Sequence, residues 1–255
     1  MAQRLDNEKK FHDQLFAGNQ GRGVGKFYSV TKVLDQYIEN LLLSDCAGKK
    51  ILEYGCGKGS YAFLLARNNA EVTGIDISRV AIDRARQQAV AQNVSDHTRF
   101  LVMDAERLEF QENSFDVVCG SGILHHLNLE RALSEIGRVI TPTGKAIFVE
   151  PMGENPFITL YRAMTPKKRT TDEHPLKFQD FCIMSHIFSE VEMKFFNACT
   201  LMLVPLRRVS FFDRLLIRIS KFDDFLFSVF PITRRFAWSV VLQLSHKTLK
   251  KGKND

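Results

Sequence analysis

Short apolar strand patterns alternate with helical patterns across residues 50–151. The strand candidates are the segments KKILEYG, AEVTGIDI, TRFLVMD, SFDVVCGSG and GKAIFVEP. The helix candidates between them are SYAFLLARNN, SRVAIDRARQQAVAQN and LERALSEIGRVI, and the last spaces Leu129, Leu133, Ile136 and Ile140 by four, three and four residues. That spacing puts the four side chains on one helix face. Strands that alternate with helices of this length predict a parallel sheet covered on both faces.

The segments on either side of this region favour helices. TKVLDQYIENLLLSDCAG, before the first strand, has the pattern of an amphipathic helix, and residues 152–190 lack a sheet pattern and predict a helical insertion. VEMKFFNACTLMLVPL could supply one or two further strands, and the Phe-rich remainder has a helical pattern. We therefore expect one domain over residues 1–206, including the insertion, and a basic amphipathic helical extension over residues 207–255.

Composition and charge exclude several classes of protein. Five cysteines are scattered without a CxxC pair or a Cys/His cluster at ligand spacing, so neither a disulfide framework nor a metal site is predicted. The N-terminus is polar and no apolar run approaches about 20 residues, which predicts a cytoplasmic protein without a signal peptide or membrane span. The net charge of +6 arises from the residues after 206, where eleven Lys/Arg face four Asp. Nucleic acid is therefore not an expected partner of the core.

The segment ILEYGCGKGS places three glycines at alternate positions directly after the first predicted strand. Gly55, Gly57 and Gly59 would each destabilise regular structure by roughly 0.5–1 kcal/mol relative to alanine, which suggests that a ligand approaches this backbone closely. In an open parallel sheet, ligands bind at the carboxyl ends of the strands, where this loop lies. The dinucleotide pattern G-x-G-x-x-G/A fits poorly, because Ser60 stands where its third small residue would fall.

The glycine loop is similar to the E/D-x-G-x-G-x-G motif of class I S-adenosylmethionine (SAM)-dependent methyltransferases, with Glu53 as its acidic residue. Asp76 ends the second predicted strand and Asp104 ends the third. FDVVCGSGILHHL resembles the fourth-strand motif of the ubiquinone and menaquinone methyltransferases, in the methyltransferase type 11 family, and LSEIGRVITPTGKAIFVEP resembles the helix, turn and fifth strand that follow. The resemblance covers roughly residues 26–151 and implies a Rossmann-like α/β fold with a seven-stranded doubly wound sheet.

The resemblance also implies that SAM is the cofactor, and it gives roles to residues of these motifs. Glu53 would lie near the methionine end of SAM, beside the glycine loop. Asp76 would accept from both ribose hydroxyls, while Asp104 and the Ala105 amide would contact the adenine edge. The complete set of expected cofactor-binding residues is Tyr28, Glu53, Gly55, Cys56, Gly57, Gly59, Asp76, Ile77, Asp104, Ala105, Cys119, Gly120 and Ser121.

Three titratable residues are candidates for a general base at the acceptor side. His125 and His126 follow the fourth strand, where the substrate pocket opens in this family, and Glu150 ends the fifth strand. Histidine has a pKa suited to accepting a hydroxyl proton, although one of the pair could instead pack at a helix start. Glu173 and His174 in the insertion could reach the same pocket. A base is optional, since methyl transfer depends mostly on positioning.

These features predict an enzyme that methylates a small, hydrophobic acceptor such as a quinone, a lipid or a secondary metabolite, with oxygen favoured weakly over carbon or nitrogen. The NPPY-like motif of enzymes that methylate amino groups of adenine or glutamine is absent after the fourth strand. Three alternatives stay open: a protein or RNA methyltransferase, an NAD(P)-dependent oxidoreductase, and a catalytically inactive SAM-binding subunit.

The C-terminal extension carries an apolar stripe from Phe211 to Val229. Basic residues occupy another face of the same predicted helix and continue after it: Arg214, Arg218, Lys221, Lys247, Lys250, Lys251 and Lys253. Such a helix could pack on its own domain, cover the acceptor pocket or lie on an anionic membrane.

Overall fold

A computed structural model of the chain describes residues 2–17, 25–165 and 173–246. Within these ranges the strands are β1 (Lys50–Tyr54), β2 (Glu71–Asp76), β3 (Thr98–Val102), β4 (Phe115–Ser121), β5 (Ile140–Pro151), β6 (Glu190–Phe196) and β7 (Ser239–Ser245). The α-helices are α1 (Ala2–Ala17), α2 (Lys32–Leu43), α3 (Ala62–Arg67), α4 (Arg79–Ala91), α5 (Leu129–Val139), α6 (Pro156–Met164), α7 (Asp180–Ile187) and α8 (Phe212–Val229). Short 3-10 helices span Phe27–Val30, Ser95–His97, Leu124–His126, Cys199–Leu206 and Pro231–Phe236.

The described strands form one seven-stranded sheet in the order β3-β2-β1-β4-β5-β7-β6. Strands β1 to β5 pair in parallel with one another, as the alternating pattern predicted. Strand β7 runs antiparallel to both β5 and β6, so the sheet as a whole is mixed. The expected Rossmann-like fold with seven strands is confirmed. The order reverses between β1 and β4, which places a ligand crevice at the carboxyl ends of these two strands.

The helices cover the sheet with the faces that the sequence pattern indicated. Helix α2 buries Leu34, Ile38 and Leu42, one residue per turn, against the core that contains β1. Helix α5 buries Leu133 and Ile136 on the other side of the sheet. Apolar side chains at this spacing leave water together on packing, which fixes the two helices against the central strands.

The sequence beyond β5 follows the expectation only in part. The described residues of the insertion hold helices α6 and α7, as predicted, and VEMKFFNACTLMLVPL supplies one strand, β6, followed by a 3-10 helix. The extension after residue 206 was expected to be helical throughout, but Ser239–Ser245 forms β7 inside the sheet. Its core residues are a continuous apolar run, Val240 to Leu242, buried on both faces, and such a run carries no alternation that separates a strand from a buried helix.

Helix α8 is anchored to the domain by one buried carboxylate. Asp223 is 2% exposed. It accepts hydrogen bonds from the backbone N–H groups of Ala198, Cys199 and Thr200 at 3.1, 2.8 and 3.3 Å. The helix therefore packs on its own domain along this side. No helix among the described residues is long and apolar enough to cross a bilayer. The basic residues Lys247, Lys250, Lys251 and Lys253 lie outside the described ranges.

Candidate active site

A cavity of about 570 Å³ opens at the carboxyl ends of β1, β2, β3 and β4. It falls within the range of about 300–1,000 Å³ that small-molecule sites occupy. Most of the expected cofactor-binding residues line it, together with one candidate base: Tyr28, Gly55, Cys56, Gly57, Gly59, Asp76, Ile77, Asp104, Ala105, Ser121 and His126. Motifs that are far apart in sequence thus meet at one concave surface.

The glycine loop needs glycine for both its backbone angles and its packing. Gly55, Gly57 and Gly59 all have positive φ, at 68°, 53° and 90°. A Cβ on Gly59 would lie 2.5 Å from the Phe63 ring, and one on Gly55 would lie 2.7 Å from Ile123. Residues with a side chain rarely adopt such angles, and here they would also clash. The loop therefore keeps its backbone open toward the cavity.

Asp76 presents a carboxylate to the cavity while holding the loops on either side. Its Oδ2 accepts from the Gly57 N–H at 2.9 Å and its Oδ1 accepts from the Ser78 N–H at 2.8 Å. An ionised carboxylate can accept about four hydrogen bonds, so capacity for ligand hydroxyls remains. Burial raises the pKa of Asp76, and its two backbone hydrogen bonds oppose that rise.

Asp104 and Ala105 line the cavity after β3, where the adenine edge was expected. The Asp104 Oδ1 accepts from the Glu106 N–H at 2.9 Å, which closes the turn. The Tyr54 hydroxyl donates to the Ala105 carbonyl and ties the same turn to β1. Both residues are thereby held in place by neighbours that the motif alone did not reveal.

Glu53 does not reach the cavity wall, in contrast to its expected place beside the methionine end of a ligand. Its side chain is buried, with one oxygen accepting from the Ser60 hydroxyl and the Tyr61 N–H, both at 2.8 Å. The other oxygen accepts from the Ala62 N–H at 2.9 Å. Burial raises the pKa of Glu53 from 4.5 to about 7, against the effect of these hydrogen bonds. Glu53 therefore positions the glycine loop and the start of α3.

Cys119 and Gly120 also lie behind the cavity wall, unlike Ser121. Both belong to β4, where Cys119 is opposite Glu53 of β1 and Gly120 is opposite Phe148 of β5, so their backbones are held in the sheet. Burial raises the pKa of the Cys119 thiol well above its ordinary range, as it does for Cys56. Neither thiol is therefore suited to act as a nucleophile.

His125 and Glu150 form a buried pair behind the loop that follows β4. One Glu150 oxygen accepts from the N–H groups of Ile123 and Leu124 at 2.9 and 2.8 Å. The other lies 2.7 Å from His125 Nδ1. Burial lowers the pKa of His125, although the hydrogen bond to Glu150 works in the opposite direction. Neither residue lines the cavity, because both are engaged in fixing this loop, whereas His126 does line it.

The insertion contacts the back of this pair. Glu173 Oε1 lies 3.7 Å from His125 Nε2, and Arg162 donates to the same oxygen at 2.7 Å. The His174 N–H donates to the His125 carbonyl at 2.9 Å. Glu173 and His174 therefore support His125 and do not line the cavity.

Helix α1 closes part of the cavity and was missed by the sequence analysis. Arg4, Glu8, His12 and Phe16 line the cavity from this helix, at the i, i+4 spacing of one helical face. Arg4 pairs with Glu106 and donates to the His126 carbonyl at 2.8 Å. The same-face spacing of these four residues is the signal in the sequence that could have identified them.

A family model for "Methyltransferase domain" matches residues 52–148, which hold β2 to β4 and most of β1 and β5. This segment carries the glycine loop, Asp76 and Asp104. The chain carries a class I SAM-dependent methyltransferase domain. The family expected from the sequence motifs is confirmed.

Two relatives align with the methyltransferase domain. The chain is 37% identical over 101 residues to 27-O-demethylrifamycin SV methyltransferase from Amycolatopsis mediterranei, covering 39% of this chain and 37% of that protein. It is 35% identical over 115 residues to ubiquinone biosynthesis O-methyltransferase from Alkalilimnicola ehrlichii, covering 45% of this chain and 46% of that protein. The aligned segment thus spans less than half the length of either relative.

The fold as a whole is similar to that of a solved methyltransferase. Geranyl diphosphate C-methyltransferase from Streptomyces coelicolor A3(2), solved with Mg²⁺, geranyl diphosphate and S-adenosyl-L-homocysteine, superposes with a TM-score of 0.65 at 11% identity. The match covers 96% of this chain and 98% of that chain. The fold of the solved structure is therefore similar also in the elements that flank the methyltransferase domain of this chain.

Proposed function

We propose that this protein transfers a methyl group from SAM to a small, hydrophobic acceptor. One observation carries the proposal: the glycine loop, Asp76 and Asp104 meet on a single cavity at the switch in strand order. An oxidoreductase is disfavoured by the glycine spacing, and the names of the aligned relatives favour small-molecule substrates over protein or RNA.

The residues that line the cavity fit SAM in chemistry. The open backbone of Gly55 to Gly59 would admit the methionine portion, and Asp76 would accept from the ribose hydroxyls through charge-assisted hydrogen bonds. Asp104 and Ala105 would contact the adenine. SAM supplies an activated methyl group when bound, and the chain's own residues orient it and keep water away from it.

We further propose oxygen as the acceptor atom, with His126 as the residue that removes its proton. His126 lines the cavity and is 4% exposed, while His125 and Glu150 hold the loop that carries it. The names of the two relatives described above point to oxygen, whereas other matched relatives are a sterol 24-C-methyltransferase and a sarcosine/dimethylglycine N-methyltransferase, so these names favour oxygen only weakly. His126 would take the proton of the acceptor hydroxyl and pass it to solvent. The acceptor oxygen would form a bond to the methyl carbon as the S–CH₃ bond breaks, and the electron pair of that bond would stay on sulfur, which gives S-adenosylhomocysteine.

Ligand affinity of an Asp76→Asn variant tests the cofactor assignment. Losing a charged acceptor of hydrogen bonds worth roughly 1.5–3 kcal/mol each should weaken S-adenosylhomocysteine binding by at least about tenfold in calorimetry. Asp83→Asn, an exposed change on α4, is the matched control and should bind normally. Unchanged affinity in Asp76→Asn, or tighter binding of NAD⁺ than of SAM, would overturn the proposal.

Labelled-methyl transfer to pools of small molecules, peptides and RNA tests the acceptor class. Once an acceptor is found, His126→Ala should lower kcat by about 10²–10⁴-fold with little change in SAM affinity, because the proton moves only in the transition state. Transfer confined to RNA or peptide would refute the small-molecule assignment. If His126→Ala keeps near-full turnover, His126 is not the general base. If the wild type binds SAM tightly but transfers its methyl group to no acceptor in the pools, the inactive SAM-binding subunit is favoured.

We also propose that helix α8 docks the protein on an anionic membrane, where an oily acceptor would reside. Phe222, Phe225 and Val229 are 48%, 53% and 50% exposed. Arg214 and Arg218 are exposed on the same helix, and each basic residue near an anionic surface contributes about 1 kcal/mol. The predicted apolar stripe is divided, because Phe212 of that stripe is buried against the domain while Phe222 and Val229 face outward.

Co-sedimentation with vesicles that contain phosphatidylserine tests this docking. The full chain should bind anionic vesicles in a salt-sensitive manner, and Phe222→Ser with Phe225→Ser should abolish binding without loss of SAM affinity. Val90→Ser, an equally drastic change at a residue 66% exposed on α4, serves as the control. Equal binding of the double variant and the control, or binding to neutral vesicles alone, would contradict the proposal.

A further inference from the structure

Three metal-ligating side chains converge where α1 meets the loop after β4. Glu8 and His12 lie one turn apart on α1, and His126 follows β4. Glu8 Oε2 lies 3.4 Å from His12 Nε2 and 3.4 Å from His126 Nδ1. One ligand atom from each residue can be chosen so that all three lie within 4.8 Å of one another. We propose that Glu8, His12 and His126 bind one divalent transition-metal ion, with Zn²⁺ as the best match.

The separations match coordination better than hydrogen bonding. Tetrahedral Zn²⁺ holds nitrogen and oxygen ligands at about 2.0–2.1 Å, which places neighbouring ligand atoms roughly 3.4 Å apart. Hydrogen bonds between nitrogen and oxygen are shorter, at about 2.7–3.2 Å. Although His126 Nδ1 is close enough to Glu8 for an ion pair, the contact lacks hydrogen-bond geometry.

The burial of His126 provides an independent observation. The residue is 4% exposed, and neither ring nitrogen has a hydrogen-bond partner among the described residues. A buried polar group without a partner is destabilising by about 1–3 kcal/mol and needs an explanation. A coordinated ion supplies one, since it satisfies Nδ1 directly and stabilises the neutral imidazole that metals require.

The Arg4 guanidinium, which lines the same cavity from α1, is engaged by partners outside this cluster of ligands. It pairs with Glu106 and directs another nitrogen to the His126 carbonyl. A second cluster of His125, His126 and Glu173 is less suitable, because Glu173 already binds Arg162 at 2.7 Å and His125 is held by Glu150. The ion is therefore assigned to the α1 side.

Three protein ligands leave at least one coordination position free, and all three residues line the cavity. The role that follows rests on the proposed function. A hydroxyl oxygen of the acceptor would occupy that position, and the ion would lower its pKa so that the proton is released to solvent before methyl transfer. With the ion bound, His126 is a ligand of the metal and the ion takes over the role of promoting proton loss; His126 would act as the general base proposed above only in the metal-free protein. The assignment selects acceptors with an oxygen that can ligate a metal, and it differs from the expectation of no metal site, which rested on sequence spacing alone.

Cobalt substitution tests the site without any assay of methyl transfer. The full-length chain, first stripped with a chelator, is titrated with Co²⁺ and then with Zn²⁺ as a competitor. We expect one Co²⁺ per chain, a visible absorption band of tetrahedral character, and displacement by one Zn²⁺. His12→Ala and Glu8→Gln should each weaken Zn²⁺ binding by at least about tenfold, whereas His97→Ala, which removes an exposed histidine elsewhere, should not.

His12→Gln provides a second variant in case His12→Ala does not fold, with folding checked by circular dichroism. Zn²⁺ binding that is absent from the wild type, or that is equal in the wild type and either His12 variant, overturns the proposal. An ion pair without a metal would give this outcome. S-adenosylhomocysteine affinity of the wild type is measured as well. A wild type that binds S-adenosylhomocysteine but no Zn²⁺ refutes only the metal site, and a wild type that binds Zn²⁺ but no S-adenosylhomocysteine refutes only the proposed function.

Discussion

The buried carboxylate of Glu53 should make the stability of the ligand-free protein fall as the pH rises. Its pKa is about 7 in the folded chain against an ordinary 4.5, because burial disfavours the charged form. The folded state therefore binds more protons than the unfolded state between these values. The stabilisation is fully present below pH 4.5 and is lost as the pH rises through about 7.

The magnitude follows from the two pKa values. A shift of one pKa unit corresponds to about 1.36 kcal/mol, and integration from pH 5 to pH 8 gives a loss of about 2.5 kcal/mol in the free energy of unfolding. Glu53→Gln removes the titration. It also places an amide NH₂ against an N–H donor such as that of Ala62, so the variant should be less stable than the wild type at pH 5 and similar to it at pH 8.

Urea unfolding at pH 5 and pH 8 measures this difference. Between pH 5 and pH 8, the free energy of unfolding should fall by about 2.5 kcal/mol more in the wild type than in Glu53→Gln. Glu71→Gln, an exposed change at the start of β2, should retain the wild-type dependence. Burial also raises the pKa of Asp76, but that contribution is common to all three proteins. An equal pH dependence in the wild type and Glu53→Gln would refute the reasoning.

Three further changes test the packing around the site. Gly59→Ala should weaken S-adenosylhomocysteine binding in calorimetry more than Gly48→Ala does, because both have positive φ but only the former meets a ring, at 2.5 Å; equal effects would contradict this. Asp223→Ala should lower the free energy of unfolding by more than about 1–3 kcal/mol in urea, since three N–H groups lose their acceptor; a loss below about 0.5 kcal/mol would argue against it. Truncation after Pro205 should abolish cooperative unfolding because it removes β7, and a folded, SAM-binding product would show that β7 is dispensable.

The central part of the fold and much of the cavity could be predicted because their signals are local. Strands β1 to β5 each carry an apolar run bounded by turn residues, and the glycine loop needs no tertiary context to be recognised. Asp76 and Asp104 both line the cavity, because parallel strands bring their carboxyl ends to one edge, and their role toward a cofactor stays a prediction.

The remaining features depend on contacts between distant parts of the chain. Glu53 and Glu150 carry carboxylates, which can act as ligands or as bases. Only the structure shows that backbone N–H groups already donate to their oxygens. The spacing of Glu8 and His12 puts them on one face of α1, but what that face contacts could not be inferred from the sequence, because both residues acquire chemical meaning only beside His126. The placement of β7 between two earlier strands is likewise a tertiary outcome.

The position of β7 has a consequence for synthesis on the ribosome. Strand β5 finds its pairing partner on one side only when Ser239–Ser245 has been made, and β6 pairs with nothing else in the described sheet. At synthesis rates of about 5–20 residues per second, the open edge of β5 waits for roughly 5 to 20 s. An unpaired apolar edge can join the edge of another nascent chain, so this interval is a window for aggregation and for chaperone binding.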